Sequence, residues 1–288
     1  MAIWNLGSIN VDTVFSLPHM PSPGETLSST ARNVFLGGKG TNMSVAAARA
    51  AAIVHHIGAV GDDGEWTVDR LMEYGVDTRF IARVDEDTAQ AMIMVDPKGE
   101  NIVILHPGAN VAIPQAILQE AMAEAQTGDW LLIQNETNLQ RTAATLGKQM
   151  GLQVAYAAAP FDADRVKAVL PYLNLLFLNA VEAAQLEQAT GKRPQDLGVR
   201  DVIITLGGDG ADWFGPEGHR HFDAVPVTPV DTTGAGDTFT GYVLAGLDRG
   251  HPMAQAINLA TRAAALMVTR HGTADVIPDL KELEDFRP

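Results

Sequence analysis

From Pro114 onward, short apolar runs alternate with longer segments whose apolar positions recur at helical spacing. The pattern predicts helices at 115–125, 139–150, 163–170 and 180–190, interleaved with strands at 130–134, 154–157, 175–178 and 202–206. Strands alternating with helices imply βαβ units and a parallel sheet. Helices at 239–247 and 253–268 close the pattern. The first third reads differently. Residues 2–6 form a buried strand, 43–52 an Ala-rich helix, 53–58 a strand and 65–74 a helix. Three further strands, 80–84, 89–95 and 101–105, then follow without helices between them, with Asp96-Pro97-Lys98-Gly99 as a hairpin turn. Such tight connections do not suit a helix-covered parallel sheet. Together with the turn-rich stretch 12–36, these strands predict a separate small antiparallel sheet, a lid. The expected architecture is α/β: one domain over 1–288, a central mostly parallel sheet flanked by helices, and a β lid from about 12–36 and 80–107.

In open parallel sheets ligands sit at the carboxyl ends of the strands. The polar residues expected there are Glu136, Asn179 with Glu182, Thr205 with Gly207, and Asp237. The stretch Asp231-Thr232-Thr233-Gly234-Ala235-Gly236-Asp237 lies between a strand-like run at 224–227 and the helix 239–247. Glycines at a turn into a helix let a ligand approach the unpaired first N–H groups, a site suited to phosphate. An acid at that spot reads either as a first-turn helix residue or as a base beside an anion hole. Gly37-Gly38-Lys39-Gly40-Thr41-Asn42 is a second glycine turn into a helix, without the spacing of a P-loop. Asn10 and Asp12 are two apart and face the same way in extended chain. They read either as a grip on adjacent sugar hydroxyls or as an ordinary turn at a strand end.

Composition narrows the chemistry. Among 288 residues, 46% are hydrophobic, the net charge is −15 and there are no cysteines. A strongly acidic chain is a poor nucleic-acid binder, and thiolate chemistry is excluded. Nucleotide binding survives, because local amides and a metal ion outweigh a distant field. No basic leader or membrane-length apolar run is evident, so a soluble cytoplasmic protein is expected. His55-His56 and His219-Arg220-His221 lack metal-site spacing and are assigned structural or surface roles.

Taken in order, Gly-Ser-Ile-Asn-Val-Asp at 7–12, Pro-Gly-Glu-Thr at 23–26, the glycine turn at 37–42, Asn179-Ala-Val-Glu182, Thr205-Leu-Gly207 and Asp231–Asp237 resemble the motifs of the ribokinase-type sugar kinases, the PfkB carbohydrate kinase family. The resemblance covers nearly the whole chain. It implies a ribokinase-like fold and ATP-dependent transfer to the primary hydroxyl of ribose or a similar pentose. By matching motif, Asp237 resembles the catalytic base, and Gly234, Ala235 and Gly236 the anion hole. Asn10, Asp12, Gly38, Lys39, Asn42 and Glu136 resemble the sugar positions, with Ala91 and Ile93 from the lid covering the ring. Asn179, Thr205, Gly207, Gly210, Gly236 and Thr261 are expected on the nucleotide side. Asn179 and Glu182 are expected to serve Mg²⁺ through phosphate or water. Asp231, Thr233, Met267, Arg270 and Gly272 match a K⁺ site, but Val276 stands where a hydroxyl is typical. A homodimer through the lid's sheet edge is expected.

The 179–207 segment is shorter than is typical, which predicts a turn in place of a helix near 191–199. Asn135 and Gln90 are polar where apolar residues would be unremarkable, and read either as specificity residues or as solvent-facing. Two other readings remain at this level: a nucleoside kinase or another sugar kinase of the same family, and a non-catalytic sugar- or nucleotide-binding regulator. A hydride-transferring dinucleotide enzyme is disfavoured, because no Gly-x-Gly-x-x-Gly follows the first strand.

Overall fold

The computed structural model describes residues 1–287. Its strands are β1 (Ile3–Leu6), β2 (Asn10–Ser16), β3 (Ala31–Gly37), β4 (Val54–Val60), β5 (Asp77–Arg83), β6 (Ala89–Val95) and β7 (Asn101–His106). They continue with β8 (Trp130–Gln134), β9 (Gln153–Ala157), β10 (Leu175–Asn179), β11 (Asp201–Thr205), β12 (Ala211–Gly215) and β13 (Gly218–Phe222). The helices are α1 (Lys39–Arg49), α2 (Glu65–Glu73), α3 (Gln115–Glu124), α4 (Gln140–Met150), α5 (Ala163–Val169), α6 (Ala180–Thr190), α7 (Ala235–Asp248), α8 (Met253–Met267) and α9 (Leu280–Asp285).

Nine strands form one sheet in the order β13-β12-β11-β10-β9-β8-β1-β4-β5. From β11 to β5 neighbours are parallel; β12 and β13 extend it antiparallel. The apolar strands are buried on both faces, as helix-covered parallel strands must be. Ile3, Leu132, Ala155 and Leu175 point into a core shared with α1, α7 and α8. Their neighbours Trp4, Leu131, Val154 and Leu176 point into a second core under α3–α6.

The lid is a four-stranded sheet in the order β3-β2-β6-β7. Its outer pairs, β2–β3 and β6–β7, are antiparallel, while the central pair β2–β6 is parallel. The physical reason is connectivity. β2 leaves the carboxyl end of β1 and β6 leaves that of β5, so both enter the lid in the same direction. The Asp96 turn joins β6 to β7 as expected, with Asp96 Oδ1 accepting from the N–H of Lys98 and Glu100.

The strand expected at 80–84 belongs elsewhere. It is the end of β5, which pairs with β4 at the edge of the large sheet. α2 lies between β4 and β5, making an ordinary βαβ unit, and Phe80 and Ala82 are buried in the body. The run 224–227 forms no strand; the β12–β13 hairpin before it does, although Asp212, His219 and His221 interrupt its apolar pattern. His219 and His221 both hydrogen-bond to Asp212 Oδ1 across the hairpin. Between α6 and β11 the chain makes only a short turn at Pro194–Asp196, as its length predicted.

Candidate active site

One half of the site is built where α1 meets the β1–β2 turn. Gly40 is pressed against that turn: a Cβ there would lie 2.4 Å from the Gly7 Cα. Gly38 has φ of 97°, and its Cβ would meet Ser8 O at 2.8 Å. Only glycines admit this approach. Ser8 stitches the turn to its surroundings. It accepts from Gly40 N, its carbonyl accepts from Thr41 N, and its hydroxyl donates to Glu136 Oε2. Lys39 N donates to the same Glu136 oxygen at 3.1 Å. Behind them, Asn5 Nδ2 donates to Gly40 O and Ser44 Oγ, and Gln134 Nε2 donates to Asn5 Oδ1.

α1 packs closely on α7, because a Cβ on Gly241 would meet Met43 O and Ala46 Cβ at 2.6 Å. That contact sets Asn42 beside Asp237. Asn42 Nδ2 donates to Asp237 Oδ2 at 2.9 Å. Asp237 is 8% exposed. Burial raises its pKa, opposed by the Lys39 ammonium and the Asn42 hydrogen bond. Lys39 is held more firmly protonated by Asp237 first, then by Glu136, Glu182 and Asp12. One lysine therefore lies amid four carboxylates. Burial, and then Glu136, push Asp12 up to about 7, with Lys39 opposing.

The register pairs Asp12 with Ala91 and with Phe35, and Val14 with Ile93. Asn10, Asp12, Ala91 and Ile93 thus share one lid face, as expected. Gln90 pairs with Val11, on the lid face opposite Asp12 and Ala91. Asn135 is also structural: its Nδ2 donates to Pro160 O, its Oδ1 accepts from the Tyr156 hydroxyl, and its carbonyl accepts from Arg165. Two buried oxygens in this region, Asp12 Oδ1 and Asn42 Oδ1, have no protein partner. Two contributors escaped the sequence reading. Gly37 gives the Asp12 carboxylate its room, since a Cβ there would stand 2.0 Å from Asp12 Oδ2. Asn110 donates from Nδ2 to Asn10 Oδ1 at 2.8 Å.

In the other half, Gly234 is the left-handed N-cap of α7 at φ 77°. A Cβ on Gly236 would meet nothing within 4 Å, so the first turn of α7 is open to a ligand. Asn179 and Thr205 are register partners at adjacent strand ends. Asn179 and Glu182 form a reciprocal cap on α6: Glu182 N donates to Asn179 Oδ1, and Asn179 N to Glu182 Oε2, both at 2.8 Å. Lys39 and Asp237 both influence the Glu182 carboxyl, whose pKa burial raises. Gly207 has open space around it, whereas Gly210 is a packing glycine whose Cβ would strike Phe222 O at 2.0 Å. Thr261, half-buried on α8, spends its hydroxyl on Ile257 O at 2.9 Å.

The residues matched to a cation site are drawn together. Asp231 Oδ1 accepts from Thr233 N at 2.9 Å and its Oδ2 from Gly272 N at 3.3 Å. Met267 O accepts from Arg270 N, and Arg270 holds Val276 O and Glu282. The Val276 side chain lies against Gly272, with Cγ1 3.3 Å from where a Cβ would stand. Among the described residues no cluster of three or more His, Cys, Asp or Glu could hold a metal, and no helix is long and apolar enough to cross a membrane.

A parallel sheet with a β lid, a glycine-opened helix start and a buried carboxylate beside it define a phosphotransferase with an alcohol acceptor. The chain belongs to the pfkB family of carbohydrate kinases, whose pattern matches residues 4–280. It is 34% identical to the ribokinase of Haemophilus influenzae, over 98% of this chain and 96% of that one. It is 28% identical to the deoxyribokinase of Salmonella typhi, over 99% and 98%. Cryptococcus neoformans ribokinase in complex with ADP superimposes with a TM-score of 0.86 at 31% identity, covering 99% of both chains. Arabidopsis thaliana ribokinase complexed with ribose and ATP gives 0.87 at 26% identity, covering 99% of this chain and 98% of that one.

Proposed function

We propose that the protein transfers the γ-phosphoryl group of ATP to the primary hydroxyl of ribose. The observation that carries this reading is the buried Asp237, oriented by Asn42 at the open first turn of α7. Its carboxylate takes the hydroxyl proton as the oxygen attacks phosphorus. The amides of 234–236 and the Lys39 ammonium face the charge that builds on the transferring group. Asp12 Oδ1 and Asn42 Oδ1, buried without partners, demand hydroxyl donors, which a polyol supplies. Ala91 and Ile93 lie over the ring. The relatives named ribokinase support this choice of acceptor.

Mg²⁺ accompanies the nucleotide and neutralises its phosphates. Asn179 and Glu182 are largely committed to their helix cap, so they reach the ion through water or phosphate. Asp231, Thr233, Met267, Arg270 and Gly272 would hold K⁺ beside the start of α7, without a side-chain ligand from Val276. Replacing Na⁺ by K⁺ should raise the rate several-fold, and equal rates would remove K⁺ from the reading.

The lid also pairs with a second copy. Met92, Ile102, Ile104 and Val34 are apolar and exposed on its outer face, and β7 is exposed along its whole length. Such an edge calls for cover. A monomer by sedimentation at micromolar concentration would overturn this.

The deciding assay is ADP release from ATP–Mg²⁺ with ribose, 2-deoxyribose, fructose, adenosine and cytidine. Ribose should give the highest kcat/KM. A dominant response to a nucleoside or another sugar would replace ribose as the acceptor.

A further inference from the structure

Asn110 sits in the short turn Gly108–Val111, after the lid and 100 residues from Asn10, and is 2% exposed. Its amide orientation is not free. Ile9 N donates to Asn110 Oδ1 at 2.9 Å, and a backbone N–H can only donate. The other end of the Asn110 amide must therefore be its NH₂, and this donates to Asn10 Oδ1 at 2.8 Å. The oxygen of Asn10 is thereby turned toward Asn110. Among the described residues, none accepts from Asn10 Nδ2. Asn10 and Asp12 alternate onto the same face of β2, so the Nδ2 group is what Asn10 has to offer a ligand.

Asn42 is anchored in the opposite sense. Its NH₂ is held by the Asp237 carboxylate, which leaves Oδ1 as a buried acceptor. The two asparagines of the site thus present opposite polarity, one donor and one acceptor, each set by a group outside the ligand.

We propose that Asn110 is a positioning residue that fixes Asn10 as a hydrogen-bond donor, so that the acceptor substrate must place an electron-pair-bearing oxygen at Asn10 while donating to Asp12 and Asn42. This rests on the sugar-kinase reading and sharpens it. A substrate hydroxyl at Asn10 is fixed as acceptor there and keeps its proton for a second partner. Asn110 also ties the site together, because its carbonyl accepts from Asn138 N at 3.2 Å, two residues beyond Glu136.

The test is N110D. At a pH where the introduced carboxyl is ionised, one oxygen still accepts from Ile9 N–H, but the other faces Asn10 as an acceptor and makes its amide turn over. The assays are run on that alkaline side, since a protonated carboxyl would donate to Asn10 as the amide does. The substrate then meets an oxygen where it met a donor. KM for the acceptor should rise roughly tenfold or more, because a polar group is left mismatched in a buried site. kcat should stay within about threefold, as the reacting groups are untouched. In an N10A background the same substitution should change KM by less than about twofold. A full effect surviving in N10A, or a fall in kcat at constant KM, would overturn the proposal. Should N110D fail to fold, N110S keeps an oxygen for Ile9 and removes the amide donor, and the same cycle with N10A decides. KM is measured on whichever acceptor the wild type turns over, so a wrong choice of sugar does not obscure the result. A substrate-free readout stands beside it: the Asn10 side-chain amide protons, identified by their loss in N10A, should shift downfield in N110D as they gain a carboxylate partner. Unshifted protons would overturn the proposal even for a protein with no measurable turnover.

Discussion

Asn42 Nδ2 donates to Asp237 Oδ2 at 2.9 Å, joining residues 195 apart in sequence. The bond leaves the other carboxylate oxygen as the one that can take a proton. Changing Asp237 to Asn removes the proposed base while keeping its volume. kcat should fall by about 10²–10⁴, with ATP affinity by calorimetry within about threefold of wild type. Unchanged kcat would remove Asp237 from the chemistry.

Gly236 separates fold from function. Nothing lies within 4 Å of a Cβ at this helical position, so Gly236→Ala should stabilise the ligand-free protein by about 0.5–1 kcal/mol. On the proposed reading the same methyl intrudes on the transferring phosphoryl group, and kcat should drop by about 10²-fold or more. Thermal melting and steady-state kinetics on one preparation read both effects. A variant that melts lower, or keeps full activity, contradicts this placement.

Gly241 tests the helix contact behind the base. A Cβ there meets Met43 O and Ala46 Cβ at 2.6 Å. Gly241→Ala should therefore cost about 1–3 kcal/mol by denaturant unfolding. It should also lower kcat more than it raises either KM, since parting α1 from α7 parts Asn42 from Asp237. Full stability and activity together would show that the contact relaxes freely.

Asp12 sets a pH dependence with a definite sign. Its folded pKa, pushed up to about 7, exceeds the unfolded 3.8. The protonated form is favoured on folding, so this contribution is complete below about pH 4, is lost as pH rises toward 7, and is constant above. Asp12→Asn should be more stable than wild type at pH 8 by on the order of 1–4 kcal/mol, with the difference vanishing near pH 4. Urea titrations of both proteins across that range measure it. A difference independent of pH would show that Asp12 ionises normally.

The legible parts of this chain were the local ones. Helices and strands from 115 to 206 follow from periodicity, because each strand is apolar on both faces and each helix on one. The site residues Asn10, Asp12, Lys39, Asn42 and Asp237 came from motifs whose glycines mark turns, and Glu136 from its place at a strand end. The misreadings were of pairing. β5 looked like the first lid strand because β6 follows it without a helix; nothing local shows that its partner is β4. The parallel β2–β6 pair was invisible for the same reason. Asn110 carries no motif signal of its own, and its importance lies entirely in contacts with Ile9 and Asn10, about a hundred residues away. Gln90 and Asn135 drew attention as polar residues, yet strand alternation turns the first away and backbone bracing occupies the second.

The packing of α1 on α7 also governs when the molecule can become itself. Synthesis delivers α1 early, yet the apolar strip of Met43, Val45, Ala46 and Ala47 is closed by Phe239, Tyr242 and Val243 of a helix that begins at Ala235. For most of its birth on the ribosome the nascent chain therefore carries this strip uncovered, together with a half-built sheet. Closure of this face is therefore a late event, and until it happens the growing polypeptide exposes apolar surface of the kind that drives aggregation.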